Sequence, residues 1–154
     1  MNDEVVPFIR KKYRTSSNPL KTVFGGASLG GLTASCAGLK HSETFGLILS
    51  QSGAYWYEPN HEPNSADYSD PPWLAHQFLE IKKLPLRFYL DAGTNEIDTT
   101  GRGADILLTN RHLRDVLKAK GYEVYYQEFE GDHDFLNWRG LLADGLIELL
   151  GLAK

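Results

Sequence analysis

The residues Gly26-Ala27-Ser28-Leu29-Gly30 carry the spacing G-x-S-x-G, inside the run Phe24 to Gly31. The pattern suits a serine held at a very tight strand-to-helix turn. Such a turn strains the backbone of the serine, and side chains two residues to either side would collide, so the pattern places glycine at both positions. The turn lifts the hydroxyl clear of the sheet. The helix start behind it offers unpaired N–H groups and the positive end of a dipole. The chemistry this allows is nucleophilic attack by Ser28. The same run also fits a glycine-rich turn that packs closely or cradles a phosphate. It is not a P-loop, because no Gly-Lys-Ser/Thr follows, and it lacks the G-x-G-x-x-G order.

A serine nucleophile needs a base, and the chain has five histidines. His41 ends a helical stretch, His61 and His76 lie in or near an irregular region, and His112 falls within a helix. His133 alone lies in a loop that follows a strand, in Gly131-Asp132-His133-Asp134. An acid belongs between the two, after the third strand. Glu96 fills that place, and Asp98 and Asp91 are the alternatives. The order Ser28, Glu96, His133 is the Ser, Asp/Glu, His order of the α/β-hydrolases. In that arrangement His133 takes the Ser28 proton, Ser28 attacks an acyl carbon, and the acid fixes the imidazole tautomer. The Leu29 backbone N–H is a candidate oxyanion donor.

The elements that must position these groups alternate along the chain. A helix is expected over residues 3–14, capped by Asp3, with Val5, Val6, Ile9 and Tyr13 on one side. Its basic end, Arg10, Lys11, Lys12 and Arg14, reads as a solvated face. A strand over Leu20–Phe24 enters the elbow and a small-residue helix over 29–39 leaves it, with Cys36 as a packing residue. Phe45–Ser50 is continuously apolar, as in a strand buried on both faces. From Gln51 to Pro72 periodicity is lost, which marks a long loop, and Trp73–Glu80 reads as a short helix. Strand Leu86–Asp91, helix 103–120 stopped by Gly121, strand Glu123–Phe129 and a last leucine-bearing helix complete the order. Strands alternating with helices predict an α/β fold, a parallel sheet of about four strands with helices on both faces. Reactive groups then gather in the loops beyond the carboxyl ends of the strands.

At 154 residues the chain reads as one domain, residues 1–154. The formal charge of −4 offers no attraction for nucleic acid or an anionic membrane. One cysteine excludes an internal disulfide. No apolar run approaches the roughly 18 residues of a membrane span. No HExxH or paired-cysteine spacing suggests a metal, and no cofactor is implied. The opening Met1-Asn2-Asp3-Glu4 is unlike a signal peptide, which sets the expectation of a cytoplasmic protein.

Together, four segments resemble the Putative esterase family of α/β-hydrolases, in its enterochelin esterase-like branch. They are the elbow, Ser50-Gln51-Ser52-Gly53 with Tyr55-Trp56, Gly93-Thr94-Asn95-Glu96, and Gly131-Asp132-His133-Asp134 with Asn137-Trp138-Arg139. The resemblance implies a serine esterase with Ser28 as nucleophile, His133 as base and Glu96 as acid. An acyltransferase using the same triad is the alternative chemistry. Tyr55, Trp56 and Trp138 are candidates to grip a small-molecule ester, and Arg139 to meet an acidic or catecholate group or to pair with a surface carboxylate.

The likeness is to the C-terminal half of the family alone, which implies that the elbow strand becomes a sheet edge. The second oxyanion donor, supplied in α/β-hydrolases by an earlier loop, is then not encoded in this chain. A weakly active half-domain is therefore a further alternative. Self-association into a homo-oligomer through the Leu20–Phe24 edge is expected on the same ground.

Overall fold

The computed structural model describes residues 2–59, 72–97 and 105–151. Their elements run α1 (Val5–Lys12), a 3₁₀ turn (Pro19–Lys21), β1 (Val23–Ala27), α2 (Leu29–Lys40), β2 (Leu47–Gln51), α3 (Trp73–Glu80), β3 (Arg87–Gly93), α4 (Ile106–Ala119), β4 (Glu123–Phe129) and α5 (Phe135–Leu150). The four strands form one parallel sheet in the order β1-β2-β3-β4. The expected α/β architecture is the one observed.

Strand alternation assigns the two faces of the sheet. Ile48, Phe88 and Leu90 point into the larger core with Leu32 and Ala34 of α2, Leu74 and Phe78 of α3, and Leu113 and Leu117 of α4. Leu47, Leu49 and Tyr89 point the other way, onto Leu149 and Leu146 of α5. Every residue of β2 is buried, which accounts for its unbroken apolar reading up to Leu49. Gly121 ends α4 with φ 79°, the left-handed conformation for which glycine is suited.

Several bounds shift by a few residues, among them β2, β3 and α4, and two elements depart from the sequence expectation for reasons the structure shows. The first strand begins at Val23 rather than Leu20, because Asn18 accepts a hydrogen bond from the Leu20 N–H (2.9 Å) and winds Pro19–Lys21 into a 3₁₀ turn. The strand then continues through both glycines to Ala27, directly against the elbow serine. Helix α1 is shorter than residues 3–14, and its cap position is Glu4, without a side-chain cap bond, rather than Asp3. Val6 alone of its expected apolar face packs on the core, while Val5, Ile9 and Tyr13 are exposed. The amphipathic spacing sufficed to form the helix, but no described element covers its outer side.

Candidate active site

Ser28 stands between β1 and α2 at φ 57°, ψ −123°, a conformation that costs a non-glycine residue of order 1–3 kcal/mol. The surrounding backbone holds it there. Its N–H donates to the Gln51 carbonyl (2.9 Å), and its carbonyl accepts from Gly31, Leu32 and Ala54 (3.0, 3.2 and 3.0 Å). A Cβ on Gly26 would sit 2.7 Å from the Gly30 carbonyl carbon, whereas a Cβ on Gly30 would meet nothing within 4 Å. The steric demand of the elbow is thus one-sided, which corrects the symmetric reading of its two glycines. Gly31 is needed as well, since a Cβ there would run into the Ser50 hydroxyl. The Leu29 N–H, at the first helical position, has no acceptor among the described residues.

His133 reaches Ser28 from the loop after β4. Its Nε2 lies 2.9 Å from Ser28 Oγ, across 105 residues of sequence. The loop is shaped by the start of α5. Asp134 caps that helix by accepting from the N–H groups of Leu136 and Asn137 (2.7 and 3.1 Å), and Asn137 Nδ2 donates back to the Asp132 carbonyl (2.9 Å). The Trp138 ring meets the imidazole edge to face at 4.8 Å, and Phe135 meets Trp138 at 5.3 Å. The His133 side chain is 38% exposed.

Glu96 Oε2 lies 3.4 Å from His133 Nδ1, with its side chain only 1% exposed. The loop after β3 is stitched to the loop after β4 through Thr94 N–H to the Phe129 carbonyl (2.8 Å) and Asn95 N–H to the Gly131 carbonyl (3.2 Å). These bonds bring Glu96 and His133 to one rim. Glu96 Oε1 accepts a 2.7 Å hydrogen bond from Ser52 Oγ, which in turn accepts from Trp138 Nε1 at 2.9 Å.

The other candidates separate clearly. Asp91 is fully buried one layer below, where it accepts from Gln51 Nε2 and the Ser52 N–H, both at 3.2 Å. Burial pushes its carboxyl up to about 7 against the pull of those bonds, and the nearby Glu96 charge adds to the rise. Asp98 and His61 lie outside the described residues, as do positions 60–71 of the long loop. His41 and His76 pair with Glu43 and Glu80 on the surface, and His112 sits in α4.

Tyr55 is corrected as a substrate contact. It is 1% exposed, and its hydroxyl lies 2.8 Å from Ser35 Oγ and 2.7 Å from Ser50 Oγ. Burial pushes its phenol well above the ordinary range. Trp138 is likewise buried, so it braces His133 rather than offering a face to solvent. Trp56 is half-buried in the turn after β2, with no ring contact or hydrogen bond to the site. Arg139 is exposed and makes no ion pair with a described residue. Ser52 and Gln51 were not named as site residues from the sequence. Their signal was the polar Ser50-Gln51-Ser52-Gly53 run at the end of a strand otherwise apolar.

The chain as a whole is similar to known esterases. The sequence profile of the esterase family described as "Putative esterase" matches residues 1–149. The iron(III) enterobactin esterase of Dickeya dadantii is 34% identical over 156 residues, covering 97% of this chain and 34% of that protein. The iron(III) salmochelin esterase of an Escherichia coli O6:H1 strain is 31% identical, over 96% of this chain and 35% of its own length. The enterobactin esterase of Shigella flexneri, solved in the presence of 2,3-dihydroxy-N-benzoyl-serine, superposes with a TM-score of 0.78 at 33% identity, over 96% of this chain and 36% of that one. An S-formylglutathione hydrolase of Staphylococcus aureus shares the fold at 18% identity, with a TM-score of 0.73. The chain spans about a third of the length of the curated enterobactin and salmochelin esterases it matches. Profile and relatives agree over nearly the whole of the described sheet and its loops, and this chain belongs to the Putative esterase family.

Proposed function

We propose that this chain is a serine esterase that hydrolyses a carboxylic ester through an acyl-enzyme. The observation that carries the reading is the 2.9 Å contact of His133 Nε2 with Ser28 Oγ, with Glu96 at the opposite imidazole nitrogen. His133 Nε2 accepts the Ser28 proton as Oγ bonds to the ester carbonyl carbon. The carbonyl electrons move onto oxygen, where the Leu29 N–H, without an acceptor among the described residues, serves as a donor. The tetrahedral intermediate collapses, and the alcohol leaves with the proton that His133 returns to it. Water then repeats the cycle on the acyl-Ser28 ester and releases the acid. Glu96 keeps the Nδ1 proton on its own side of the ring, so that Nε2 stays free to act as base.

Relatives named as iron(III) enterobactin and iron(III) salmochelin esterases make those two esters the substrates to assay beside 4-nitrophenyl acetate. Ester hydrolysis above background is expected, and Ser28→Ala should lower kcat/KM by at least about 10³-fold. Equal rates in the two proteins would remove Ser28 from the chemistry and the reading with it.

A further inference from the structure

We propose that Ser52 and Trp138 form a hydrogen-bonded relay that aims the Glu96 carboxylate at His133, which makes both of them positioning residues. The relay deepens the esterase reading and rests on it for its effect on turnover. Its direction is fixed by chemistry. An indole N–H can only donate, so Ser52 Oγ accepts from Trp138 Nε1 (2.9 Å) and spends its own proton on Glu96 Oε1 (2.7 Å). Glu96 Oε2 is left to face His133 Nδ1. Without the relay nothing intrinsic would set that plane, because the terminal torsion of a glutamate is soft and roughly two-fold.

The relay is built from buried parts. Ser52 is fully buried, and Glu96 and Trp138 are nearly so. Ser52 also holds φ 47°, an unfavourable conformation for a residue with a Cβ, stabilised by its N–H donating to the Asp91 carbonyl (2.9 Å) and to Asp91 Oδ1 (3.2 Å). Gln51 Nε2 bonds both Asp91 Oδ2 (3.2 Å) and the Trp138 carbonyl (2.9 Å). Trp138 is therefore anchored through its main chain by Gln51 and through its indole by Ser52. The ring so held meets His133 edge to face. One tryptophan thus braces the base directly and the acid through a single hydroxyl. Its place in α5 links the loops after β2, β3 and β4.

The test uses the full chain with Ser52→Ala, Trp138→Phe and the double variant. Trp138→Phe keeps an aromatic ring beside His133 while removing the N–H donor together with part of the indole, so it serves should Ser52→Ala fold poorly. The readouts are kcat and KM for 4-nitrophenyl acetate and the low-field proton resonance of the His133 Nδ1–H. Ser52→Ala should lower kcat about 10- to 100-fold with KM within about two-fold, as expected when a hydrogen bond to a charged group is lost from the machinery rather than from binding. The resonance should move upfield or vanish. Trp138→Phe should follow in the same direction, and the double variant should fall short of the product of the two single losses, because they break one chain. Unchanged kcat and resonance in both single variants, or a loss confined to KM, would overturn the relay. Turnover that does not depend on Ser28 would instead defeat the esterase reading, and the resonance, which needs no turnover, would still decide the relay.

Discussion

Glu96 is a buried carboxylate with two different tasks for its two oxygens, one bonded to Ser52 and the other facing His133. Glu96→Gln keeps the shape but turns one acceptor into a donor, which favours the wrong imidazole tautomer. On the proposed mechanism kcat should fall by about 10²–10⁴-fold with KM little changed, measured on 4-nitrophenyl acetate. A loss no larger than that of Asp98→Asn would move the role of acid to Asp98. Asp91, below it, bears on stability. Its folded-state value of about 7 lies above the ordinary 3.8, so the folded chain holds that proton more tightly than the unfolded one. Its contribution is therefore fully present below pH about 4 and is lost as the pH rises through about 7. Urea midpoints of the wild type should drop between about pH 4 and 7 relative to those of Asp91→Asn and level off above that. Parallel curves would show that Asp91 ionises normally.

At the scale of elements, the elbow is a contact between a strand end and the first turn of a helix. Gly26, at the end of β1, faces the Gly30 backbone across it. Gly26→Ala forces a Cβ into that backbone and should cost about 1–3 kcal/mol of stability, together with most of the Ser28-dependent activity. Gly30→Ala has open space around the added methyl and should fold as the wild type does. Thermal unfolding of the two variants side by side checks this asymmetry, and equal destabilisation would contradict it. The sequence pattern treats the two glycines alike because a spacing rule carries no direction. The approach of the helix to the strand supplies it.

At the scale of the molecule, β1 has a single strand neighbour, β2, among the described residues. The face of the sheet that carries Leu47, Leu49 and Tyr89 is covered by α5 alone among the described helices. Phe135, Leu136 and Ile147 of that helix are 82%, 72% and 68% exposed. An open strand edge beside apolar surface favours pairing with another strand. We therefore expect a second copy to pair along Val23–Ala27, the strand as it is observed, rather than along Leu20–Phe24. Sedimentation across a wide concentration range should show mass rising toward a dimer. A constant monomer mass at the highest concentration would exclude it.

By itself the sequence determined the alternation of strands and helices, two of whose elements, Trp73–Glu80 and Glu123–Phe129, have the expected bounds. It also determined that Ser28, Glu96 and His133 follow strands, because local periodicity and turn residues are properties of neighbours in the chain. The tertiary structure decided what depends on distant neighbours. It placed Tyr55 beneath Ser35 and Ser50, turned Trp138 inward onto His133, and set Ser52 between an indole and a carboxylate some 86 and 44 residues away. An aromatic residue reads the same in sequence whether it grips a ligand or packs a base. Burial, which no local pattern encodes, separates the two.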